Sequence, residues 1–225
     1  VFVISKKPEQ AFEHGRNQTT REHGSDLRAS YDDRVNRILE AATGLIARVG
    51  YANASMRSVA KAAQVSLAGL YHYFDSKEKM LFLIQFRTFN SLLSSLRERL
   101  HGVADPVEQL RVMVRTHVDY FAANMAALKV CSHELDSLTG DAYQETNKLR
   151  RDYYDIARGI INRVLDARAA DASLDRHVAT MSLFGMLNWL YRWYTPKPGW
   201  APTTVANQIS SQFLGGVLGV AGDQS

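Results

Sequence analysis

Few of the residues that ordinarily perform covalent chemistry stand at working spacings in this chain. His133-Glu134 starts like the zinc-protease helix signature, but the position of its second histidine is Ser137. No Gly-x-Ser-x-Gly elbow and no phosphate-binding loop occurs, and Gly215-Gly216 follows no strand and opens no helix. The lone thiol, Cys131, can make neither an intrachain disulfide nor a cysteine-rich zinc site, and reads as a small buried apolar residue. Catalytic residues, a metal site and a cofactor are therefore not expected. What remains is recognition chemistry. Ser55, Arg57, Ser66, Tyr71, Tyr73 and Lys77 place hydroxyl and cationic donors within one short stretch, close to expected helix starts, where phosphates are favoured. A formal net charge of +4 permits an anionic partner without requiring one.

The elements that must position these groups follow from apolar spacing. Val35, Ile38, Leu39, Ala42, Leu45, Ile46 and Val49 recur every three or four residues, after Asp32-Asp33 and before a stop at Gly50, which describes one helix. Ser55 caps a short second helix through Val59, Ala60 and Ala63; after a break at Gln64-Val65, Ser66 caps a third over Leu67 to Phe74. That is the helix-turn-helix plan. On the third helix, Leu70 and Phe74 face inward against Val59 and Leu45, while Leu67, Ala68 and Tyr71 point outward. A small, barely charged helix tip can approach a major groove closely, with apolar groups on thymine methyls and Tyr71 on a base edge or phosphate.

Longer helices follow: 77–100, one opened by Asp105-Pro106 to about 124, roughly 126–138, one from Asp141 to about 168, one from Ser173 to about 194, and, past the Pro-rich turn Thr195 to Gly199, about 202–219. No strand pattern appears, so the fold class is all-α. Residues 1–30 lack apolar periodicity and read as a poorly ordered arm. Residues 31–76 read as the helix-turn-helix domain and 77–225 as a larger helical domain.

The stretch Tyr51 to Met80 resembles the DNA-binding domain of TetR-family regulators. It carries Gly50-Tyr51, Ser55, Val59-Ala60, Ala63-Gln64-Val65-Ser66, Leu70-Tyr71-His72-Tyr73-Phe74 and Lys77 in register, with Gln64 where the family very often has Gly and Met80 where it usually has Leu. The resemblance implies that Arg57, Ser66, Leu67, Ala68, Gly69, Tyr71, Tyr73 and Lys77 occupy DNA-contacting positions, with Gly69 in place of a more usual Thr, Ser or Ala. Leu183 to Tyr194, followed by the Pro-rich turn and an amphipathic last helix, is similar to family members that govern fatty-acid and acyl-CoA catabolism.

The resemblance further implies that 77–225 is the ligand-binding and dimerisation domain, with a homodimer formed through the last two helices, double-stranded operator DNA as partner, and a small hydrophobic effector of acyl-CoA type. Phe86, Phe89, Met113, His117, Tyr120, Tyr153 and Trp189 fall on inward faces around the expected pocket, and Arg158 belongs to a basic side of the long helix with Arg150, Arg151 and Arg163. The apolar start Val1 to Ile4 is too short for a signal-peptide core, and no run is long enough for a membrane span, so a cytoplasmic protein is expected, and the resemblance implies a repressor. The alternative is a ligand-independent architectural helix-turn-helix protein with little sequence preference.

Overall fold

Local chemistry decides where the helices begin. The computed structural model describes residues 19–167 and 174–219, with side chains from Tyr31 onward, and all regular structure among them is helical. Ten α-helices follow in order: α1 (Thr19–Val49), α2 (Met56–Ala62), α3 (Leu67–Tyr73), α4 (Lys77–Leu100), α5 (Pro106–Ala123), α6 (Met125–His133), α7 (Gly140–Ala167), α8 (Arg176–Asn188), α9 (Leu190–Trp193) and α10 (Pro202–Leu218). A 3-10 turn, Leu135–Ser137, separates α6 from α7.

Serine and aspartate N-caps satisfy the first free amides of α2, α3, α4, α5 and α8. The Ser55 side chain accepts from the Ser58 amide and the Ser58 hydroxyl returns to the Ser55 amide, closing a capping box on α2. Ser66, Ser76 and Asp105 accept from Gly69, Lys79 and Glu108 respectively, and Pro106 occupies the first turn of α5, where its missing N–H costs nothing. The cap of α8 is Asp175, bonded to the Val178 amide; the expected cap Ser173 lies outside the described residues. Gly50 ends α1 at φ 81°, a left-handed conformation that glycine adopts freely.

Two expectations differ from the structure. Of the arm proposed over 1–30, residues 1–18 lie outside the described residues, but 19–30 are helical, because neither proline nor a capping break interrupts the chain before Tyr31. The helix expected to run to about 194 stops at Asn188 and resumes as α9; asparagine is a poor helix former and is the last residue of α8.

The chain divides into two units, 1–37 and 38–225. The described part of the first is helical throughout. In the second, Ile38, Leu45, Val59, Leu70 and Phe74 are buried in the helix-turn-helix head, and α2 packs on α3. The body is built around α5, which packs on α4, α7 and α10. Leu92, Leu96, Leu110, Met113, Ile160 and Leu183 lie in its core. At about 25 cal/mol per Å² of apolar surface removed from water, such side chains stabilise by roughly 1.5–3 kcal/mol each. No helix among the described residues is long and apolar enough to cross a membrane.

Candidate DNA-binding head and effector cavity

The third helix is short because its cap and its last buried residue are close together. Ser66 fixes its start and Phe74, buried, leaves the helix in an extended conformation. Leu70 alone is buried within it, which leaves Tyr71, half exposed at 49%, and Ala68 on the outer side, with Leu67 and Gly69 partly covered. Gly69 has a local reason: a Cβ there would stand 3.0 Å from the Ser66 oxygen that caps the helix. Ser55 and Arg57 are exposed at the start of α2. Tyr73 is half-buried and meets His72 edge-on at 5.2 Å between ring centroids.

Lys77 is placed differently from its expected outward reach. Its ammonium donates to the carbonyls of Tyr51 and Ala54, both at 2.8 Å, and sits 4.0 Å from the centroid of the Tyr51 ring. Two hydrogen bonds and a cation–π contact therefore hold the first turn of α4 against the loop before α2. Any phosphate contact made by Lys77 is made from this anchored position. The next residue, Glu78, turns the other way and accepts from the amide and hydroxyl of Thr139, each at 2.8 Å.

A second tie joins head and body at Glu134, just past α6. One carboxylate oxygen accepts from the Tyr51 amide at 3.0 Å and the other from the Ser137 hydroxyl at 3.0 Å, while its carbonyl accepts from Gln85 of α4, also at 3.0 Å. Burial and the Glu78 and Glu134 carboxylates hold the Tyr51 phenol above its ordinary value.

The body holds a pocket of about 250 Å³, half open to the surface beside the exposed Arg151 and Met181. Phe89 of α4, His117 and Phe121 of α5, Cys131 of α6, and Phe184 of α8 are among its walls, and α7 contributes Arg150, Arg151, Tyr153 and Tyr154. Arg150 donates to the Cys131 carbonyl and covers the Phe89 ring at 5.2 Å. Arg151 is exposed. Burial pushes the Cys131 thiol up to about 12, so it is present as the thiol and not as a nucleophilic thiolate. Burial also lowers His117 to about 3 and raises Tyr153. The two meet at 3.1 Å between Nδ1 and the phenol oxygen, both neutral.

Of the side chains singled out from sequence, Phe89, His117 and Tyr153 come together in this wall. The structure does not bring the others to it. Met113 is plain core at 0% exposure, Phe86 pairs with Phe82, and Tyr120 packs edge-on against Phe121. Arg158 is exposed and lies near Asp175. Trp189 is exposed on a different surface, a groove between α8 and α10 that also holds Trp193 and Trp200. Sequence reasoning missed Phe121, Cys131 and Phe184 as cavity residues and Glu134 as a tie. The first three carry only the apolar periodicity that any core residue shows.

This geometry, a capped short helix on a helical body with a pocket in it, has matches among known proteins. Residues 38–84 match the bacterial regulatory proteins of the tetR family, and residues 103–217 match the tetracyclin repressor-like C-terminal domain. The chain belongs to the TetR family. The HTH-type transcriptional repressor KstR2 of Rhodococcus jostii is 28% identical over 189 residues, covering 82% of this chain and 91% of that protein. The TetR-family regulator PfmR of Thermus thermophilus superposes with a TM-score of 0.69 at 31% identity, covering 79% of this chain and 97% of the other. AibR, solved in complex with isovaleryl coenzyme A and operator DNA, gives a TM-score of 0.70 at 27% identity over 80% and 97% of the two chains. This TetR-family member is a DNA-binding transcriptional regulator and not an enzyme.

Proposed function

We propose that this TetR-family regulator is a homodimeric repressor that binds a pseudo-palindromic operator and is released from it by an acyl-CoA thioester. The observation that carries the operator reading is the outer side of α3, where Ala68 and the half-exposed Tyr71 project from a helix with no charged residue before His72. Each recognition helix of the dimer enters one major groove, with half-sites about 34–36 Å apart. Ser55, Arg57, Ser66 and Tyr73 hold the phosphates on either side, Leu67, Ala68, Gly69 and Tyr71 meet the base edges, and Lys77 fixes the angle of the head on α4. The dimer forms through α8 and α10, whose outward surfaces carry Met181, Gly185 and Gly216, with Trp189 exposed just past the end of α8.

The effector reading draws on the cavity and on AibR, which has been solved with isovaleryl coenzyme A bound. An apolar interior beside Arg150 and Arg151 suits a hydrocarbon acyl group attached to an anionic carrier. The space is open on the side of the exposed Arg151, so an acyl group can sit inside while its nucleotide carrier stays outside. Ligand seated against Arg150 competes with the Cys131 carbonyl on α6, and α6 leads directly to Glu134 and the Tyr51 amide. The same displacement reaches α4 through Gln85. Two heads whose separation no longer matches the groove spacing lose affinity, a coupling of about 1–3 kcal/mol per effector.

Operator selection from random duplex DNA at physiological salt tests this reading. Wild-type protein is expected to enrich one palindrome and Tyr71→Ala to lose at least tenfold in affinity for it. Uniform, steeply salt-dependent binding by both proteins would instead support an architectural role.

A further inference from the structure

His117 has a hydrogen-bonding capacity that the fold does not use. The residue is 2% exposed on α5, and its Nδ1 is 3.1 Å from the Tyr153 phenol oxygen, yet no described group bonds its Nε2. Both side chains line the cavity. Their immediate surroundings are rings: Phe121 lies 4.7 Å from the His117 centroid and Phe184 5.9 Å from that of Tyr153. A buried polar atom left unpaired in such surroundings is destabilising unless something arrives to bond it.

The proton count says what the pair can offer. A neutral imidazole and a phenol hold two polar hydrogens between them, and the bond joining the pair uses one. One donor is therefore left over in either tautomer. If the phenol donates to Nδ1, the spare donor is Nε2–H and every polar atom of the pair is satisfied once an acceptor reaches Nε2. If Nδ1–H donates to the phenol oxygen, the spare donor is the phenol O–H and Nε2 is left as an unfilled acceptor. An incoming carbonyl oxygen favours the first arrangement.

We propose that the His117–Tyr153 pair recognises a carbonyl oxygen on the cavity-bound part of the effector, so that the preferred ligand is an oxo-substituted acyl group and not a plain hydrocarbon one. This inference rests on the effector reading above and narrows it. The thioester carbonyl does not fill the role. It stays attached to the sulfur and carrier chain, which leave by the open side of the pocket beside the exposed Arg151, whereas His117 is only 2% exposed. The oxygen met by the pair is a second one, further along the acyl skeleton.

The test uses two coenzyme A thioesters with one skeleton, cyclohexanecarboxyl and its ring-ketone counterpart, measured by calorimetry with the full chain. The ketone is expected to bind about tenfold more tightly to wild type, from the difference between a satisfied and an unsatisfied buried donor. His117→Phe is expected to bind both equally. Equal binding of the two thioesters to wild type would overturn the proposal while leaving the acyl-CoA reading intact. Failure of both to bind would overturn that reading and pass the decision to protein labelled with ¹⁵N-histidine. There, cyclohexanone should move the His117 Nε2 resonance and isosteric methylenecyclohexane should not. Absence of that selective change would overturn the proposal, and the same spectra decide it if His117→Phe does not fold.

Discussion

At residue 64 a glutamine occupies a position that favours glycine. Gln64 has φ 56°, and around it the Gln64 amide bonds the Lys61 carbonyl and the Val65 amide the Ala60 carbonyl, which is the Schellman closure of α2. The left-handed backbone costs a side-chain-bearing residue about 1–2 kcal/mol, part of which glycine returns as unfolded-state entropy. Gln64→Gly is expected to raise the unfolding free energy by roughly 0.5–1 kcal/mol in urea titration, with operator affinity unchanged. His117 gives a second prediction. Its folded pKa of about 3 lies below the ordinary 6.5 because burial opposes the charged ring, so the unfolded chain binds the extra proton first. The contribution of neutral His117 is fully present above pH 6.5 and is lost as pH falls toward 3, by up to about 1.4 kcal/mol per pH unit. Tyr153, Cys131 and Arg150 share its cavity, and none of them titrates in that interval toward neutrality. Unfolding measured from pH 7 to 5 should therefore show a steeper loss for wild type than for His117→Phe.

Between elements, the decisive bonds are those joining the reading head to the body. Lys77 and Glu78 tie α4 in opposite directions, and Glu134 joins Tyr51 to the end of α6. If the Glu134 link transmits effector occupancy, Glu134→Ala keeps operator affinity within about threefold but reduces effector-driven release by about tenfold, out of a coupling that typically spans 5–150-fold. Fluorescence anisotropy of labelled operator with and without isovaleryl coenzyme A measures both quantities. These ties also mark what could be read from sequence. Ser55, Ser66 and Asp105-Pro106 announce their helices because a cap acts within three residues of itself, and Leu70 and Phe74 announce the buried side of α3 by their spacing. Glu134 and Tyr51 are 83 residues apart and bond through a backbone amide that has no side-chain identity to match. The inward fold of Lys77 is hidden for the same reason, since its partners are two carbonyls. Phe89, His117 and Tyr153 could be selected as inward-facing, whereas Met113 and Tyr120 could not be separated from them, because periodicity identifies the buried side of a helix but not where the packing leaves a gap.

For the whole molecule, the proposed dimer has a clean probe. Gly216 is exposed on α10, and a Cβ there would meet nothing within 4 Å. Gly216→Arg therefore leaves the fold of one chain unstrained and, by helix propensity, favours it by up to about 1 kcal/mol. In sedimentation at micromolar concentration this variant is expected to be monomeric. Its affinity for a full palindrome should fall by at least about a hundredfold, because the second head no longer benefits from the first.

All three tryptophans of the chain, Trp189, Trp193 and Trp200, line the single groove between α8 and α10. Trp193 and Trp200 meet edge-on at 5.8 Å, and Lys197 lies 3.7 Å over Trp200. The intrinsic emission of this protein is thus a reporter wired to one surface. It should shift when the chain is diluted through the proposed dimer's assembly equilibrium. It should respond little to operator, since neither the head nor the pocket beside His117 contains an indole. An emission change on adding effector would then be a long-range signal: news from the cavity arriving at the α8–α10 surface, read without any label.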